Sequence, residues 1–310
     1  MAISRAQQLK ELLPGLHALF GLEYKRYPEE WKSLFAVNKS DRSFEEETKL
    51  SGFGVPGSKS EGQAINYDTA QEAWTARYTP ETVAMGFALT EEAMEDNLYD
   101  SLGPRYVKAM AKAMTYAKEV RGASVFNNAF SGSYLGGDGV ALCSTAHPLV
   151  GGGTNSNRPV SGADLTETSL EAALIAISKW TDERGLLVAA KAKKLAISTD
   201  NDYVATRLLK TELRSSVQGS APTFAPNDVN AIYTMGAIPE GYAVNHYFTD
   251  TNAWFLTTDV ADGFKHFVRV PYKTSSEADF DTGNMRFKAR ERYVFGWSDP
   301  LCVYGSPGST

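Results

Sequence analysis

The apolar positions of this chain recur every three to four residues in some segments and follow the strand-like patterns of a sheet in others. The clearest helical pattern is "PRYVKAMAKAMTYAKEVRGASVFNNAF" at residues 104–130, whose apolar side chains lie on one face of a helix. We expect Pro104 to open this helix, because proline at the first helical position loses no hydrogen bond. At 1.5 Å per residue the helix is roughly 40 Å long. Its apolar face consists of Val107, Met110, Met114, Ala117 and Val120, extended by Phe126 and Phe130.

Upstream of this helix, two strand-like segments flank a polar stretch. Residues 44–56 and 67–87 are rich in strand-forming residues, and "GFGVPGSKSEGQAINY" at 52–67 has almost nothing apolar. An isolated hairpin is only marginally stable in water, and exposed strand edges pair with other chains. The sequence therefore predicts a long projecting hairpin that contacts an outside partner. A mobile surface loop is the alternative that remains open.

Residues 1–43 read as an N-terminal arm. Short helical patterns are interrupted by Pro14 and Pro28, so we expect no compact unit here. The apolar residues of the arm have to dock on the rest of the chain or on a neighbouring chain. A further helix is expected between Thr90, as its N-cap, and Gly103.

The second half of the chain predicts a separate mixed lobe. A glycine-rich loop over 131–165 precedes a helix, for which Thr168 and Glu171 form a predicted capping box. The sequence then predicts a buried strand over 193–198 and a helix from about Asp200 whose Tyr203 points inward. After Val229 the chain is rich in strands, and it closes with two strand-like runs joined near Pro300. The apolar side of the first helix is formed by Leu170, Ala173, Leu174, Ile177 and Trp180.

Composition and charge exclude several classes of protein. The 310 residues are 43% hydrophobic and 22% charged, which is typical of a globular protein. No stretch approaches the roughly 18 apolar residues of a membrane helix, and the N-terminus lacks a secretory signal pattern, so we expect folding inside the cell. The net charge of −6 and the absence of a basic block disfavour tight sequence-specific binding of nucleic acid.

A search for catalytic and metal-binding motifs returns little. Two cysteines are no disulfide framework, and four scattered histidines show no metal-ligand spacing. Cys143 stands four residues before His147, but a nucleophile and its base usually come from separate elements. We therefore expect no enzyme, no metal and no cofactor. A hydrolase that uses Cys143 and His147 is the disfavoured alternative.

The order of these elements resembles the major capsid protein of tailed bacteriophages, an α+β fold of the Hong Kong-phage type that encapsulins share. The resemblance depends on the run from Phe44 to Phe130, on "TDTNAWFLTTDVADGFKHFVR", and on the closing "NMRFKARERYVFGWSDPLCVYG". It implies an N-arm over 1–43, a long β-hairpin called the E-loop over 44–78, and an axial domain over 163–260. The peripheral domain, with the long spine helix, takes residues 79–162 and the return strands of 261–310.

The resemblance also implies a function and partners. The chain would self-assemble into pentamers and hexamers of an icosahedral shell that encloses double-stranded DNA without sequence specificity. It would be assembled in the host cytoplasm and remain in the virion. A scaffolding protein, a portal protein and a decoration protein are the other implied partners. In that family the E-loop lies across a neighbouring subunit, which makes Gly57, Lys59, Glu61 and Gly62 the candidate contact residues at its tip.

Some members of that family lock the shell with Lys–Asn isopeptide bonds promoted by a glutamate. By resemblance, Lys59, Asn284 and Glu291 are the candidate cross-link residues in this chain. Other readings are an encapsulin-like nanocompartment shell, with a cargo groove near an N-terminal helix, and a phage tail or baseplate component. The long arm and hairpin favour the phage shell over the first, and the spine helix before a mixed lobe disfavours the second.

Overall fold

The protein is described from a computed structural model, which covers residues 5–90, 92, 99–213, 229–279 and 283–309. The predicted helix between Thr90 and Gly103 falls mostly outside the described residues. The helices are α1 (Arg5–Arg26), α2 (Tyr99–Asn127), α3 (Glu167–Ser178), α4 (Asp202–Lys210) and α5 (Ala231–Thr234), with 3₁₀ turns at Glu30–Ser33, Thr199–Asn201 and Pro300–Cys302.

Twelve strands complete the described fold and form two four-stranded sheets and two strand pairs. They are β1 (Ala36–Lys39), β2 (Glu45–Leu50), β3 (Glu72–Tyr78), β4 (Glu81–Leu89), β5 (His147–Pro148), β6 (Thr154–Asn155), β7 (Ala192–Ile197), β8 (Tyr242–Val244), β9 (Trp254–Thr258), β10 (Phe264–Ala278), β11 (Met285–Trp297) and β12 (Val303–Ser306).

The first sheet has the strand order β1-β10-β11-β4. Its β11 alternates strictly over most of its length, since Met285, Phe287 and Ala289 are buried while the residues between them are exposed. This period of two puts an apolar face towards helices α1 and α2 and leaves a charged outer face. The sheet is therefore covered by helices on one side only.

Helix α2 is the predicted spine helix, but it begins upstream of the expected start. It runs for 29 residues from Tyr99, so Pro104 lies inside the helix and does not open it. Val107, Met110 and Met114 are buried as predicted, whereas Val120 is exposed and Phe130 lies beyond the helix end. Gly122 lets the arm approach closely, because a Cβ there would lie 3.0 Å from the Cβ of Trp31.

The N-terminal arm is more regular than its prolines suggested. α1 is one helix of 22 residues that passes through Pro14 and ends before Pro28. Leu16, Phe20 and Tyr24 are buried against α2 and the inner face of the first sheet. The arm thus docks on its own chain, which is one of the two options that the sequence left open.

The second lobe contains the sheet β12-β9-β7-β8 with α3, α4 and α5 packed on it. The apolar side of α3 and the buried strand β7 are confirmed. The capping box begins two residues earlier than expected, with Thr166 as N-cap and Ser169 as its partner, and Tyr203 points outward. The closing strands β11 and β12 are confirmed as strands, but they lie in different sheets and do not pair.

Besides the apolar cores on each sheet, a further apolar cluster joins the two sheets. Trp31 and Phe35 of the arm pack there with Phe126 of α2 and with Phe255 of the second sheet. Because arm, spine helix and both sheets contribute to it, the described parts of the chain share a continuous interior. The domain limits at residues 43, 78, 162 and 260 stay predictions.

Candidate functional site

Strands β2 and β3 form the predicted hairpin, which projects from the body of the protein. They pair antiparallel from Glu45 opposite Tyr78 to Leu50 opposite Glu72. The 21 residues between them, 51–71, have no regular structure apart from a turn near residue 61 and are called the hairpin tip below. Every residue from 55 to 72 is exposed.

The base of the hairpin is fastened to the body by charged and polar contacts. Lys265 of β10 donates to both carboxylate oxygens of Glu47 at 2.6 Å, and Ser298 donates to the same carboxylate. The Tyr78 hydroxyl lies 2.5 Å from the Ser298 hydroxyl. Lys49 donates to Asp299 at 2.5 Å. These contacts fix the direction in which the hairpin leaves the body.

A second tether reaches the tip itself. Arg184, from a turn of the second lobe, donates through one nitrogen to both oxygens of Asp68 at 2.8 and 3.0 Å. The backbone N–H groups of Gly54 and Thr69 donate to the same carboxylate. The N–H groups, followed by the Arg184 charge, hold the pKa of Asp68 below its usual value. Charge-assisted hydrogen bonds of this kind position an otherwise irregular loop.

The four predicted tip residues, Gly57, Lys59, Glu61 and Gly62, all lie on the exposed part of the hairpin. A turn from Ser60 to Gln63 closes the tip, and Gly62 has a φ of +79°, a conformation that suits glycine. The structure brings these residues together at one end of the projection. No contact in the described structure shows what they bind.

The hairpin tip exposes more apolar side chains than its sequence pattern predicted. Phe53, Val55, Ile65 and Tyr67 are 63, 76, 63 and 90% exposed. Leu50, next to the tip, is exposed as well. Large exposed apolar side chains on a projecting segment are candidates for burial at an interaction site.

Two of the three candidate cross-link residues, Asn284 and Glu291, lie far apart within the chain. Lys59 is at the exposed tip, and Asn284 precedes β11, where its carbonyl accepts the N–H of Asp279 at 2.8 Å. Glu291 lies seven residues further along the strand, about 23 Å at 3.3 Å per residue. It is buried, and its carboxylate accepts from Lys118 at 3.2 Å and from Tyr24 at 3.0 Å. Within one chain, Asn284 and Glu291 therefore do not share a site.

Cys143 and His147 do not form a catalytic pair. Cys143 is buried in the apolar cluster between the sheets, and burial raises the pKa of its thiol well above the usual value. His147 places its Nδ1 2.6 Å from Asp138 and its Nε2 3.0 Å from the side-chain oxygen of Asn157. Asn157 in turn donates to the carbonyls of Leu142 and Pro300. The imidazole thus orders the loop over 131–160.

Sequence reasoning missed the residues that aim the hairpin. Arg184 belongs to an "ERG" turn that reads as an ordinary solvated turn, and Ser298 and Lys265 lie in strand-end segments without a motif. Their partners on the hairpin are more than 100 residues away in the chain. No local pattern identifies such contacts.

Other kinds of site are not seen in the parts of the chain that the structure describes. No group of three or more His, Cys, Asp or Glu side chains gathers there as metal ligands. None of the described helices has both the length and the apolar content needed to cross a lipid bilayer.

The chain belongs to a family of phage capsid proteins, because residues 72–306 match the family model described as phage capsid protein. The matched segment begins at the first residue of β3 and ends at the last residue of β12. No curated protein sequence matches the chain.

Solved structures with the same fold come from assembled particles and phages. A chain of Microbacterium phage Oxtober96 is 10% identical over 90% of each chain, with a TM-score of 0.52. The procapsid of bacteriophage JBD30 is 14% identical over 98% of this chain and 76% of that chain (TM-score 0.51). A virus-like particle from Pyrococcus furiosus is 10% identical over 94% and 98% (TM-score 0.51). At these identities the likeness concerns the fold.

Family and fold together define the class. The fold is the α+β capsid fold of the Hong Kong-phage type, and the protein is a structural component of a phage capsid shell and not an enzyme. It is a major capsid protein, and its place is the capsid of the virion.

Proposed function

We propose that this chain self-assembles into the pentamers and hexamers of an icosahedral shell that encloses double-stranded DNA. Assembly takes place in the host cytoplasm. The proposal is supported by the membership in a phage capsid family. The proposal adds the geometry of the shell and its DNA content, neither of which follows from family membership alone.

The observation that carries the proposal is the exposed hairpin. Its base is fixed by Lys265, Lys49 and Ser298, so the projection has a defined direction. Its tip exposes Phe53, Val55, Ile65 and Tyr67 to water. Burying apolar surface stabilises by about 25 cal/mol per Å², so these side chains gain most by contact with another copy. In this proposal the hairpin is the E-loop, and Gly57, Lys59, Glu61 and Gly62 are at its contact end.

The remaining partners follow from the same proposal. A scaffolding protein guides shell size, a portal protein occupies one vertex, and a decoration protein binds the finished surface. Packaged DNA is held without sequence specificity. The net charge of −6 supports weak contact with the DNA, since like charge limits non-specific adhesion.

Negative-stain electron microscopy of the purified chain, with and without its co-expressed neighbouring genes, tests the proposal. We expect closed shells, or rings of five and six subunits. A uniform monomer or dimer under every condition would refute assembly. Uniform shells from the chain alone would remove the need for a scaffolding protein.

A cross-link between Lys59 and Asn284 of different copies is a separate part of the proposal. Glu291 could promote it only by leaving its contact with Lys118, because its carboxylate is buried. A denaturing gel of mature particles would show ladders of covalent multimers if the bond forms. A single 33.8 kDa band would rule it out.

An encapsulin-like compartment is the second candidate. The observation in its favour is α1, an N-terminal helix docked on the spine helix through Leu16, Phe20 and Tyr24, where a cargo groove is expected in that reading. Absorbance ratios and mass spectrometry of purified particles distinguish the two. Particles filled with a protein cargo and free of DNA would favour the compartment, and DNA-filled particles the virion shell.

A further inference from the structure

The imidazole of His147 has an oxygen atom opposite each of its two nitrogens. Its Nδ1 lies 2.6 Å from Oδ2 of Asp138, and its Nε2 lies 3.0 Å from Oδ1 of Asn157. A neutral imidazole has one nitrogen that donates a hydrogen bond and one that accepts. Between two accepting oxygens, the second nitrogen of a neutral ring would direct its lone pair at an oxygen. The protonation state of the ring therefore depends on whether both oxygens are acceptors.

Asn157 presents an acceptor to the ring, because its other contacts fix the orientation of its amide. Its Nδ2 donates to the carbonyls of Leu142 at 2.7 Å and of Pro300 at 2.8 Å. Its Oδ1 accepts the N–H of Ser144 at 2.8 Å. A flipped amide would lose all three hydrogen bonds at a completely buried position, where unpaired polar groups are rare. The Nε2 of His147 is therefore the donor in its contact with Asn157.

The contact with Asp138 needs a second proton on the ring. An ionised carboxylate and a bare Nδ1 would repel each other at 2.6 Å, whereas charge-assisted hydrogen bonds are short. An imidazole is a stronger base than a carboxylate, so the proton resides on Nδ1 and the pair is an imidazolium beside a carboxylate. Both side chains are only 2% exposed. Loss of the proton would leave a buried carboxylate without a counter-charge, which is costly.

No other charged group in contact with the ring takes the place of this proton. The elements packed around the loop contribute three further charged side chains, Arg158, Glu183 and Asp299. Glu183 and Asp299 both contact Lys49, and the guanidinium of Arg158 lies over the ring of Phe130. The thiol of Cys143 is neutral, because burial raises its pKa. Among the described residues, Asp138 is thus the one charged side chain within hydrogen-bond distance of the imidazole.

The loop that contains this pair also supports the hairpin. The N–H groups of residues 150 and 151 donate to the carboxylate and to the carbonyl of Glu183. Glu183 contacts Lys49 at the base of the hairpin. The next residue, Arg184, holds Asp68 of the hairpin tip. The order of the loop is therefore connected to the turn that aims the hairpin.

We infer that Asp138 and His147 form a proton-dependent lock on the loop that supports the hairpin. The folded chain keeps a proton that an unfolded histidine releases at about pH 6.5. The contribution of this proton to stability is complete below about pH 6.5. Above it, the unfolding equilibrium constant rises about tenfold per pH unit, until the folded chain releases the proton to water. The repulsion between the carboxylate and the bare nitrogen then loosens the loop, and with it the turn that aims the hairpin.

Magic-angle-spinning NMR of protein labelled with 13C and 15N measures the protonation state directly. It applies to the free chain and to an assembled particle alike. At pH 7.5 we expect both ring nitrogens of His147 to give the signals of protonated nitrogen. The signals are assigned through their correlation with the backbone of the loop. A neutral ring at pH 7.5 would overturn the inference.

Asp138→Asn is a matched variant that satisfies the same contacts without the extra proton. Its Nδ2 donates to the bare Nδ1 of His147, and its Oδ1 keeps the N–H of Val140. The Nε2 of the neutral ring still donates to Asn157. From pH 6.5 to 8.5, we expect the unfolding equilibrium constant of the wild type to rise by up to about a hundredfold more than that of the variant. Urea denaturation at the two pH values measures both.

Asp250→Asn is the control for this comparison. The carboxylate of Asp250 accepts the backbone N–H groups of Asn252 and Ala253, and the described structure places no imidazole in contact with it. We expect this variant to follow the pH profile of the wild type. Parallel profiles for the wild type and Asp138→Asn would contradict the lock. Should Asp138→Asn not fold, the wild-type NMR spectrum at pH 7.5 decides alone.

Hydrogen exchange tests the connection to the hairpin. The wild type and Asp138→Asn are compared at each pH as the pH is raised from 7 to 10. We expect residues 144–157 and 182–185 to lose protection in the wild type relative to the variant, because the released loop opens more often. Loss of protection over 144–157 with unchanged protection over 182–185 would refute the coupling to the hairpin.

Discussion

From the sequence, neither the N-terminal arm nor the projecting hairpin was expected to form a compact unit of its own. Both were expected to need a partner. The arm finds its partner in its own chain: Phe20 of α1 and Trp31 of the following turn are almost completely buried. The apolar side chains of the hairpin tip find none, since Tyr67 is 90% exposed, although Arg184 holds Asp68 of the tip. The arm contains more apolar residues than the hairpin tip, and its apolar residues are also arranged differently.

Arrangement decides the outcome. In α1, Leu16, Phe20 and Tyr24 are spaced four residues apart, so one helix face is apolar and packs on α2. In the tip, Phe53 and Tyr67 stand among glycines and small polar residues, without a regular element to align them. A segment without a face cannot join its own core. In the proposed shell, the hairpin is therefore the part of this chain that contacts a second copy.

The largest effect is expected from the arm core. Phe20→Ala removes a fully buried ring and is expected to lower the free energy of unfolding by about 3–5 kcal/mol. Tyr67→Ala in the hairpin tip is the matched control, with a change within about 0.5 kcal/mol. Urea denaturation followed by circular dichroism measures both. Equal losses in the two variants would contradict the contrast between arm and hairpin.

The next effect concerns the buried ion pair that joins the arm, the spine helix and the sheet. Lys118 of α2 contacts Glu291 of β11 at 3.2 Å and Tyr24 of the arm at 3.2 Å. Glu291→Ala leaves the buried ammonium of Lys118 unpaired and is expected to lower the free energy of unfolding by about 3–5 kcal/mol. Because the aromatic rings around Lys118 compensate in part, we expect a value at the lower end of this range. Lys118→Met combined with Glu291→Met is expected to recover most of this loss. A double variant as unstable as the single one would contradict this account.

The arm junction also predicts a pH dependence. Burial, opposed by the N–H of Trp31 and reinforced by the charge of Glu30, raises the pKa of Glu119 from 4.5 to about 7. The folded state therefore binds a proton that the unfolded state releases above pH 4.5, so this group destabilises the fold progressively from pH 4.5 to 7. Between these pH values the wild type is expected to lose about 2–3 kcal/mol more than Glu119→Gln.

Denaturation of both proteins at pH 4.5, 6 and 7.5 measures this difference. Because only the change in stability with pH is compared, the hydrogen bond that glutamine loses does not affect the result. Exposed Glu61→Gln in the tip is the control and is expected to follow the wild type. Parallel pH profiles for the wild type and Glu119→Gln would show that the pKa of the Glu119 carboxyl group is not raised.

The smallest effect on stability is expected at the tether of the tip. Arg184→Gln removes the charged donor from Asp68 but leaves the N–H groups of Gly54 and Thr69 in place. We expect no measurable change in unfolding, faster hydrogen exchange over 51–71, and weaker assembly because the hairpin is less well oriented. Lys193→Gln, at an exposed ion pair with Glu240 in the same lobe, is the control. Unchanged exchange in Arg184→Gln would refute the tether.

Part of the candidate site could be predicted from the sequence. Glycine-rich, polar residues between two strand-like segments predicted the hairpin and the position of its tip, because turn residues act through local backbone geometry. The attachment of the hairpin could not be predicted, since Lys265 and Ser298 meet Glu47 across more than 200 residues. The apolar residues of the tip are present in the sequence, but their exposure was not predicted, because exposure is a property of the folded chain.

The sequence by itself determined the type and order of the elements: the amphipathic spine, the alternating strand β11, and the buried strand β7. These follow from the periods of helix and strand, which neighbouring residues set. Only the tertiary structure decided that Pro14 and Pro104 lie inside helices, that β11 and β12 join different sheets, and that the arm docks while the apolar side chains of the tip stay exposed. Packing between distant segments outweighs local propensity at such positions, because most helix stability comes from burying an apolar face.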